Sequence, residues 1–417
     1  MLRKVTKNDV LNIMVYCIPL CPYKLLSIGD KGISLIYLIW GLIIVFGLID
    51  TKNLLRGIKR NWIALIAIIY FIINSIVLKN NNIGSIAQFI LLWTIWIFSY
   101  RRVSYQQFEK TISIFHRVMN IIAIYGIYEF FGRMIGLPFS DPWIEGHMIE
   151  GYNWYNTESI AGITVYRSNG IFMEPSMFSQ FLAINILFYL FDTDGTHKKR
   201  TKEIILNIIA LICSLSGTGL LLLAVVFVLM NITKGGSKYF RELLRKYKVW
   251  IIVVCVLLVG VLFSPIGGYM ISRLSEFDPT NTKSISGYIR FVGQFNIAKE
   301  IIMTDPVLGL GIGNVQGFID IYRTTGTATA FASLACSMIV ARYIAELGVI
   351  GVTILFIAYK NIIRKDNMEN CFYKVLALSV IVMIPLSDTG INVSYWLLIF
   401  MLNIDFKENI TIGGEDD

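Results

Sequence analysis

Long apolar stretches, each near the length of one bilayer-crossing helix, recur along almost the whole of this chain. They fall at 10–26, 33–50, 61–78, 83–99, 111–131, 170–191, 204–216, 217–232, 249–266, 335–359, 374–387 and 391–404. A helix of about 20 apolar residues spans the hydrocarbon core, and water cannot accommodate so many such segments on one fold. Composition agrees. Of 417 residues, 55% are hydrophobic and only 16% charged, below the roughly 25% of a soluble domain. The expected fold is an all-α polytopic integral membrane protein with about twelve transmembrane helices. It forms a single membrane domain over 1–417, with no linker and no internal repeat. The basic N-terminus before 10–26 resembles a secretory signal. However, Pro19, Pro22 and Lys24 stand where a cleavage site would be, so the segment reads as a retained first helix.

Two of these stretches are interrupted, at LSGTG (215–219) and at PLSDTG (385–390). Each is either a hairpin of two helices or one long broken helix. Broken helices survive in a membrane where protein or enclosed water satisfies the freed backbone groups. Charge favours hairpins. With both breaks read as reversals, most of the 37 cations fall on one side. They include Lys52, Arg56, Lys59, Arg60, Arg101, Arg102, Lys360, Arg364 and Lys365, with both termini on that side. Cytoplasmic loops carry such an excess, so that side is expected to be the cytoplasm. The net charge of +9 is thereby explained without nucleic acid. Two long segments, about 132–169 and 267–334, are left outside. Loops of that size in a compact membrane protein are usually functional.

The cations remaining outside include Arg167, Arg273, Arg290 and Arg323. Arginine suits a diphosphate, because its planar fork donates in pairs and keeps its charge. Exposed ion pairing or snorkelling to the interface is the plain alternative. Arg167 opens the run YRSNGIFMEPSMFSQF at 166–181, where an outer loop re-enters the membrane. Arg290 opens GYIRFVGQFNIAKEIIMTDPVLGLGIGN at 287–314. Its helical part places Phe291, Phe295, Ala298 and Ile302 on one face, as in a helix lying on a surface. Asp305-Pro306 ends that helix, and Gly309, Gly311 and Gly313 form a tight turn region. AELGVIG follows at 345–351. Arg342 and Glu346 stand one turn apart inside a membrane helix, read first as a structural pair and second as a lipid-diphosphate contact.

These runs, with SGTG at 216–219, resemble in order and spacing the O-antigen and capsular polysaccharide polymerase (Wzy-type) family, and more distantly the O-antigen ligases. The resemblance implies a GT-C-like membrane enzyme of the bacterial cytoplasmic (inner) membrane. The implied reaction is metal-independent, cofactor-free and inverting. It joins undecaprenyl-diphosphate-linked oligosaccharides on the outer side, alongside a flippase and a chain-length regulator. By the same resemblance, Arg167 and Arg290 hold the diphosphate, with Arg273, Arg323 and Arg342 as weaker candidates. The ligase branch carries a His-Asn pair where this chain has Ser337-Met338, which favours polymerase. A lipid-linked oligosaccharide flippase or transporter is the alternative from another class. Such a protein would place its polar groups near the midplane, often in two related halves.

For the base, His147 is the outward-facing one of the 3 histidines. Glu174 precedes it as a candidate, although an acid beside Pro175 at a helix start also serves as a cap. Trp143, Tyr152, Trp154, Tyr155 and Tyr166 suit sugar stacking or interface anchoring. The 6 cysteines have no metal or disulfide spacing. DTDG at 192–195 reads as a turn. GLGIGN at 309–314 lacks the βαβ surroundings of a dinucleotide fingerprint.

Overall fold

The computed structural model describes residues 9–28, 31–49, 51–142, 144, 147–149, 157–160, 163–192, 201–232, 293–324, 338–386 and 392–406. It is mostly helical. In chain order the helices are α1 (Asp9–Tyr16), α2 (Leu35–Ile49), α3 (Thr51–Arg60), α4 (Trp62–Val77), α5 (Ile83–Ser99) and α6 (Tyr105–Ile135). They continue with α7 (Pro175–Leu190), α8 (Thr201–Cys213), α9 (Gly217–Ile232) and α10 (Gln294–Thr304). The last are α11 (Val315–Thr324), α12 (Ile339–Ile362), α13 (Cys371–Met383) and α14 (Val393–Leu402). Except for the 249–266 stretch, which lies outside the described residues, every expected apolar segment carries a helix.

Helix lengths are less uniform than the apolar pattern suggests. Among the described residues, α6 and α12 are long and apolar enough to cross a membrane, and α3 with α4 adds a third if counted as one bent span. The other apolar helices run 10–17 residues. At 1.5 Å per residue a helix of 16 residues covers only about 24 Å. The α3–α4 pair bends by 77°, which turns the basic α3 across the end of the bundle.

Short strand pairs mark the two ends. At one end β3 (Arg101–Val103) pairs in parallel with β6 (Ile404–Phe406). Asp405 gathers charge there. It accepts from Tyr100 Oη at 2.8 Å and pairs with Arg364 at 3.2 Å and Arg60 at 3.7 Å. Asn61 Nδ2 donates to Asn403 Oδ1 at 3.1 Å, and Asn367 Nδ2 to the Ile404 carbonyl at 2.8 Å. At the opposite end, β1 (Lys24–Ile28) and β2 (Lys31–Ser34) form one hairpin, and β4 (Thr157–Ile160) and β5 (Ile163–Tyr166) another. The first hairpin meets the loop after α6, where Lys24 N–H donates to the His147 carbonyl at 2.8 Å.

Both interrupted stretches are reversals. Ser168 N–H reaches the Cys213 carbonyl at the end of α8, whereas Phe191 and Phe227 meet at the far ends of α7 and α9. Thus α8 runs against α7 and α9 runs with it. Likewise α13 begins beside Phe191, through Cys371 Sγ, and α14 begins beside Met173, through Asn392.

The core is a continuous apolar cluster with Trp40, Trp93, Trp96 and Trp396 fully buried. A chain of polar side chains inside it is mutually bonded. Asn185 Nδ2 donates to Asn207 Oδ1 at 2.9 Å, and Asn207 Nδ2 to Asn120 Oδ1 at 2.8 Å. His116 Nδ1 lies 2.7 Å from Asn185 Oδ1, and its ring stacks on Tyr189 at 3.8 Å. Buried amides are costly unless paired in this way.

Candidate active site

The end of the bundle carrying the β4–β5 hairpin holds Arg167, Glu174 and His147, and its centre is a side chain that the pattern of segments had not marked. Glu129, in the last turns of α6, is completely buried. Its Oε2 accepts from Ser168 Oγ at 2.7 Å, Asn169 N–H at 3.0 Å and Gly170 N–H at 2.7 Å. Gly170 has φ +57°, a conformation that a Cβ resists, and this turns two successive N–H groups toward one carboxylate. Arg133, one turn along α6, pairs with Glu129 at 3.1 Å and with Asp141 at 3.1 Å. One acid and one base therefore pin both the loop after α6 and the loop before α7. The signal was present in the sequence as Glu129-x-x-x-Arg133, the same spacing that drew attention to Arg342 and Glu346.

The pinned loop presents Arg167, which is half-buried. Its Nε donates to the Ser214 carbonyl at 3.4 Å, while Ser168 N–H takes the Cys213 carbonyl at 3.1 Å. Those carbonyls close α8, and a helix C-terminus has unpaired carbonyls and negative dipole character. The 167–176 run and the SGTG break are thus one unit. Farther down, a Cβ on Gly219 would lie 2.5 Å from the Ser179 carbonyl oxygen, so α7 and α9 touch backbone to backbone. Thr218 Oγ1 donates to the Ser176 carbonyl at 3.4 Å.

Glu174 stands at the N-cap of α7 in extended conformation, φ −143° and ψ 152°, followed by Pro175 at the first helical position. Its carboxylate makes no side-chain cap. Instead, Oε2 accepts from Ser176 Oγ at 2.9 Å. His147 is exposed and lies in the loop held against β1.

The other two runs also meet. Helix α12 breaks at Gly348, with φ +60° and ψ −161°. The freed carbonyls are taken up from outside. Leu310 N–H donates to Ala345 O at 2.9 Å, Gly311 N–H to Glu346 O at 2.9 Å and Tyr70 Oη to Leu347 O at 2.7 Å. In return, Val349 N–H donates to Pro306 O at 3.0 Å. The 80–82 asparagines fasten the same glycine-rich turn. Asn80 Nδ2 donates to Ile312 O at 2.7 Å and Asn82 Nδ2 to Gly313 O at 2.9 Å. Arg342 is paired with Glu346 at 3.1 Å and lies 5.4 Å above the Phe89 ring. Helix α10 turns one definite face to its neighbours. Gln294, Ile297, Ala298 and Ile301 are its buried residues, and Phe295 is exposed. Close packing of Ala298 beside Ala341 and Ala345, with Gln294 Oε1 accepting from Met338 N–H at 2.7 Å, sets that rotation.

The sequence model of the WcaD colanic acid polymerase family matches residues 22–407. The chain belongs to this family. All four motif runs lie inside the match. A search of the curated proteins finds no match. Membership makes the protein a polysaccharide polymerase of glycosyltransferase type, and its long apolar helices fit a membrane protein.

Arg167 and Glu174 share the approach to α7, whereas Arg342 belongs to the second unit, around the α12 break. Arg323 is in the last turn of α11, with only its backbone described. Arg273 and Arg290 lie outside the described residues, as do Trp143, Tyr152, Trp154 and Tyr155.

Proposed function

We propose that this polymerase joins undecaprenyl-diphosphate-linked oligosaccharides at the outer face of the bacterial cytoplasmic membrane. The observation that carries the reading is the seating of Arg167. This cation sits at a loop–helix junction pinned by the buried Glu129–Arg133 pair. It lies at the end of the bundle opposite Asp405 with its partners Arg60 and Arg364, and a cation-rich end suits the cytoplasm. Both termini then lie in the cytoplasm, and the chain crosses the membrane about twelve times.

In this reading the acceptor sugar hydroxyl attacks the anomeric carbon of the donor. The new C–O bond forms as the bond to the diphosphate breaks, with inversion. The hydroxyl proton passes to a base, for which Glu174 is the first candidate and His147 the second. The diphosphate leaves on its polyprenyl lipid with its negative charge met by Arg167, joined by Arg290 and, less directly, Arg273, Arg323 and Arg342. Guanidinium groups fixed beforehand at a developing oxyanion supply what a metal supplies elsewhere, so the reaction needs none. A flippase delivering the repeat units and a chain-length regulator complete the system.

The test is the size distribution of the surface glycan after deletion of the gene and its restoration. A single displayed repeat unit without long chains supports the reading. Lipid-linked polymer accumulating outside would make the enzyme a ligase, and repeat units held on the cytoplasmic leaflet would make it a flippase. Arg167→Ala, folded and correctly inserted, is expected to lose about 100-fold or more in chain extension. Normal polymer from that variant would remove Arg167 from the site.

A further inference from the structure

Helix α6 presents one exposed stripe whose character changes abruptly along its length. Lys110 and Arg117 are exposed near its start, and Ile121, Ile124, Phe131 and Ile135 are 68%, 58%, 54% and 71% exposed farther on. The spacing of three and four places all of these on one face. Where that face is basic, α1 and α6 border a groove of about 310 Å³ lined by Tyr16, Gln106, Glu109, Lys110, Ser113 and Arg117. Thr111 Oγ1 donates to Asn12 Oδ1 at 2.8 Å and holds the two helices together beside it. Lys110 and Arg117 outweigh the single carboxylate, Glu109. Among the described residues, neither cation has a carboxylate partner. The groove lies toward the end of the bundle marked by β3 and β6, because Tyr105 and Phe108 both pack on Phe406.

We infer that this groove holds the headgroup phosphate of an anionic phospholipid of the membrane leaflet at that end. Arg117 lies four residues, or about 6 Å, from Ile121 along the axis. A phosphate at the level of Lys110 and Arg117 therefore leaves its acyl chains alongside the isoleucines. Arginine facing lipid is expensive unless it reaches a headgroup or an anion, and basic pockets between helices on the cytoplasmic side suit anionic headgroups. Tyr16, 54% exposed, adds an aromatic at the same boundary, where tyrosine rings are favoured. The site lies on the opposite end of α6 from Glu129 and is independent of the reading given to Arg167.

The experiment uses the full chain in phosphatidylcholine vesicles containing spin-labelled phosphatidylglycerol or, in parallel, spin-labelled phosphatidylcholine. The wild type is expected to restrict phosphatidylglycerol several-fold more strongly, and K110Q/R117Q to lose that preference. Arg56→Gln with Lys59→Gln, which removes the same charge from α3, is expected to keep it. Equal restriction of the two lipids by the wild type would overturn the inference, and so would loss of preference in the α3 control. Displacement of the label by millimolar inorganic phosphate would make this a free-phosphate site and overturn the lipid assignment. If K110Q/R117Q does not fold, Ser113→Trp, which fills the groove at constant charge, gives the same decision.

Discussion

Replacing Gly348 with alanine tests the break in α12 most directly. The residue sits at φ +60° and ψ −161°, a region open essentially to glycine, and another residue there costs about 1–3 kcal/mol. A Cβ would also lie 2.4 Å from the Val307 carbonyl oxygen and 2.6 Å from its carbon. Those are backbone atoms that cannot rotate away. The alternative is for α12 to straighten. That abandons the bonds from Leu310, Gly311 and Tyr70 to its carbonyls and the bond from Val349 to Pro306. At about 1 kcal/mol each, and with half recovered as intrahelical bonds, straightening costs about 2 kcal/mol plus the undocking of the glycine-rich turn. Both routes converge on a loss of about 2–3 kcal/mol. Thermal unfolding in detergent, followed by intrinsic fluorescence, should show a lowered Tm. Gly217→Ala, where a Cβ meets nothing within 4 Å, should stay within about 0.5 kcal/mol of the wild type. Gly348→Ala melting with the wild type would refute the argument that glycine is what permits the break.

Other perturbations separate structural from functional roles. Glu129→Ala leaves Arg133 buried beside three donors without their acceptor, so unfolding should be easier by about 3–5 kcal/mol; thermal melting checks this. If Arg342 and Glu346 are a structural pair, Arg342→Met with Glu346→Leu should be more stable than either single variant, as a double-mutant cycle would read. Gly219→Leu should separate α7 from α9 and be poorly expressed in folded form, which size-exclusion chromatography would show. Burial, and then the Asp405 carboxylate, hold the Tyr100 hydroxyl pKa above its ordinary value. A folded-state pKa raised in this way stabilises fully below the unfolded value of about 10 and is lost as pH rises beyond it. Tyr100→Phe should flatten that alkaline limb of a stability–pH profile.

The apolar periodicity reached the helices and their order, and the placement of cations argued for reversals at the 215–219 and 385–390 breaks, which the contacts at both ends of α7 and α13 bear out. Helix lengths were less legible, because hydropathy does not mark where a turn or 3₁₀ segment takes over from a helix, as at Ile18–Leu20. On α10 the side packed into the protein carries Ile297, Ala298 and Ile301, clustered with Ala341 and Ala345, while Phe295 is exposed. Glu129 was missed because it lies near the end of an apolar run, where a carboxylate looks like a boundary. Its role depends on three donors about forty residues away in sequence, which no local pattern contains.

The motif runs share one physical origin, and it bears on what each can do. An interrupted helix in an apolar medium leaves carbonyls that must find donors within the protein. Arg167 and Ser168 meet that need at the end of α8, and the 306–313 turn meets it at Gly348. Part of what makes the runs recognisable is therefore a requirement of folding. The two units differ in what is left over once that requirement is met. At Gly348 the donors are backbone N–H groups and a tyrosine, and the nearby guanidinium of Arg342 is occupied by Glu346 and Phe89. At Ser214 the carbonyl is met by a guanidinium, and the buried Glu129 is paired with Arg133. Arg342 is held inside its helix by an ion pair, whereas Arg167 stands on a half-buried loop–helix junction; replacing Arg167, more than Arg342, is therefore expected to reduce chain extension without first unfolding the protein.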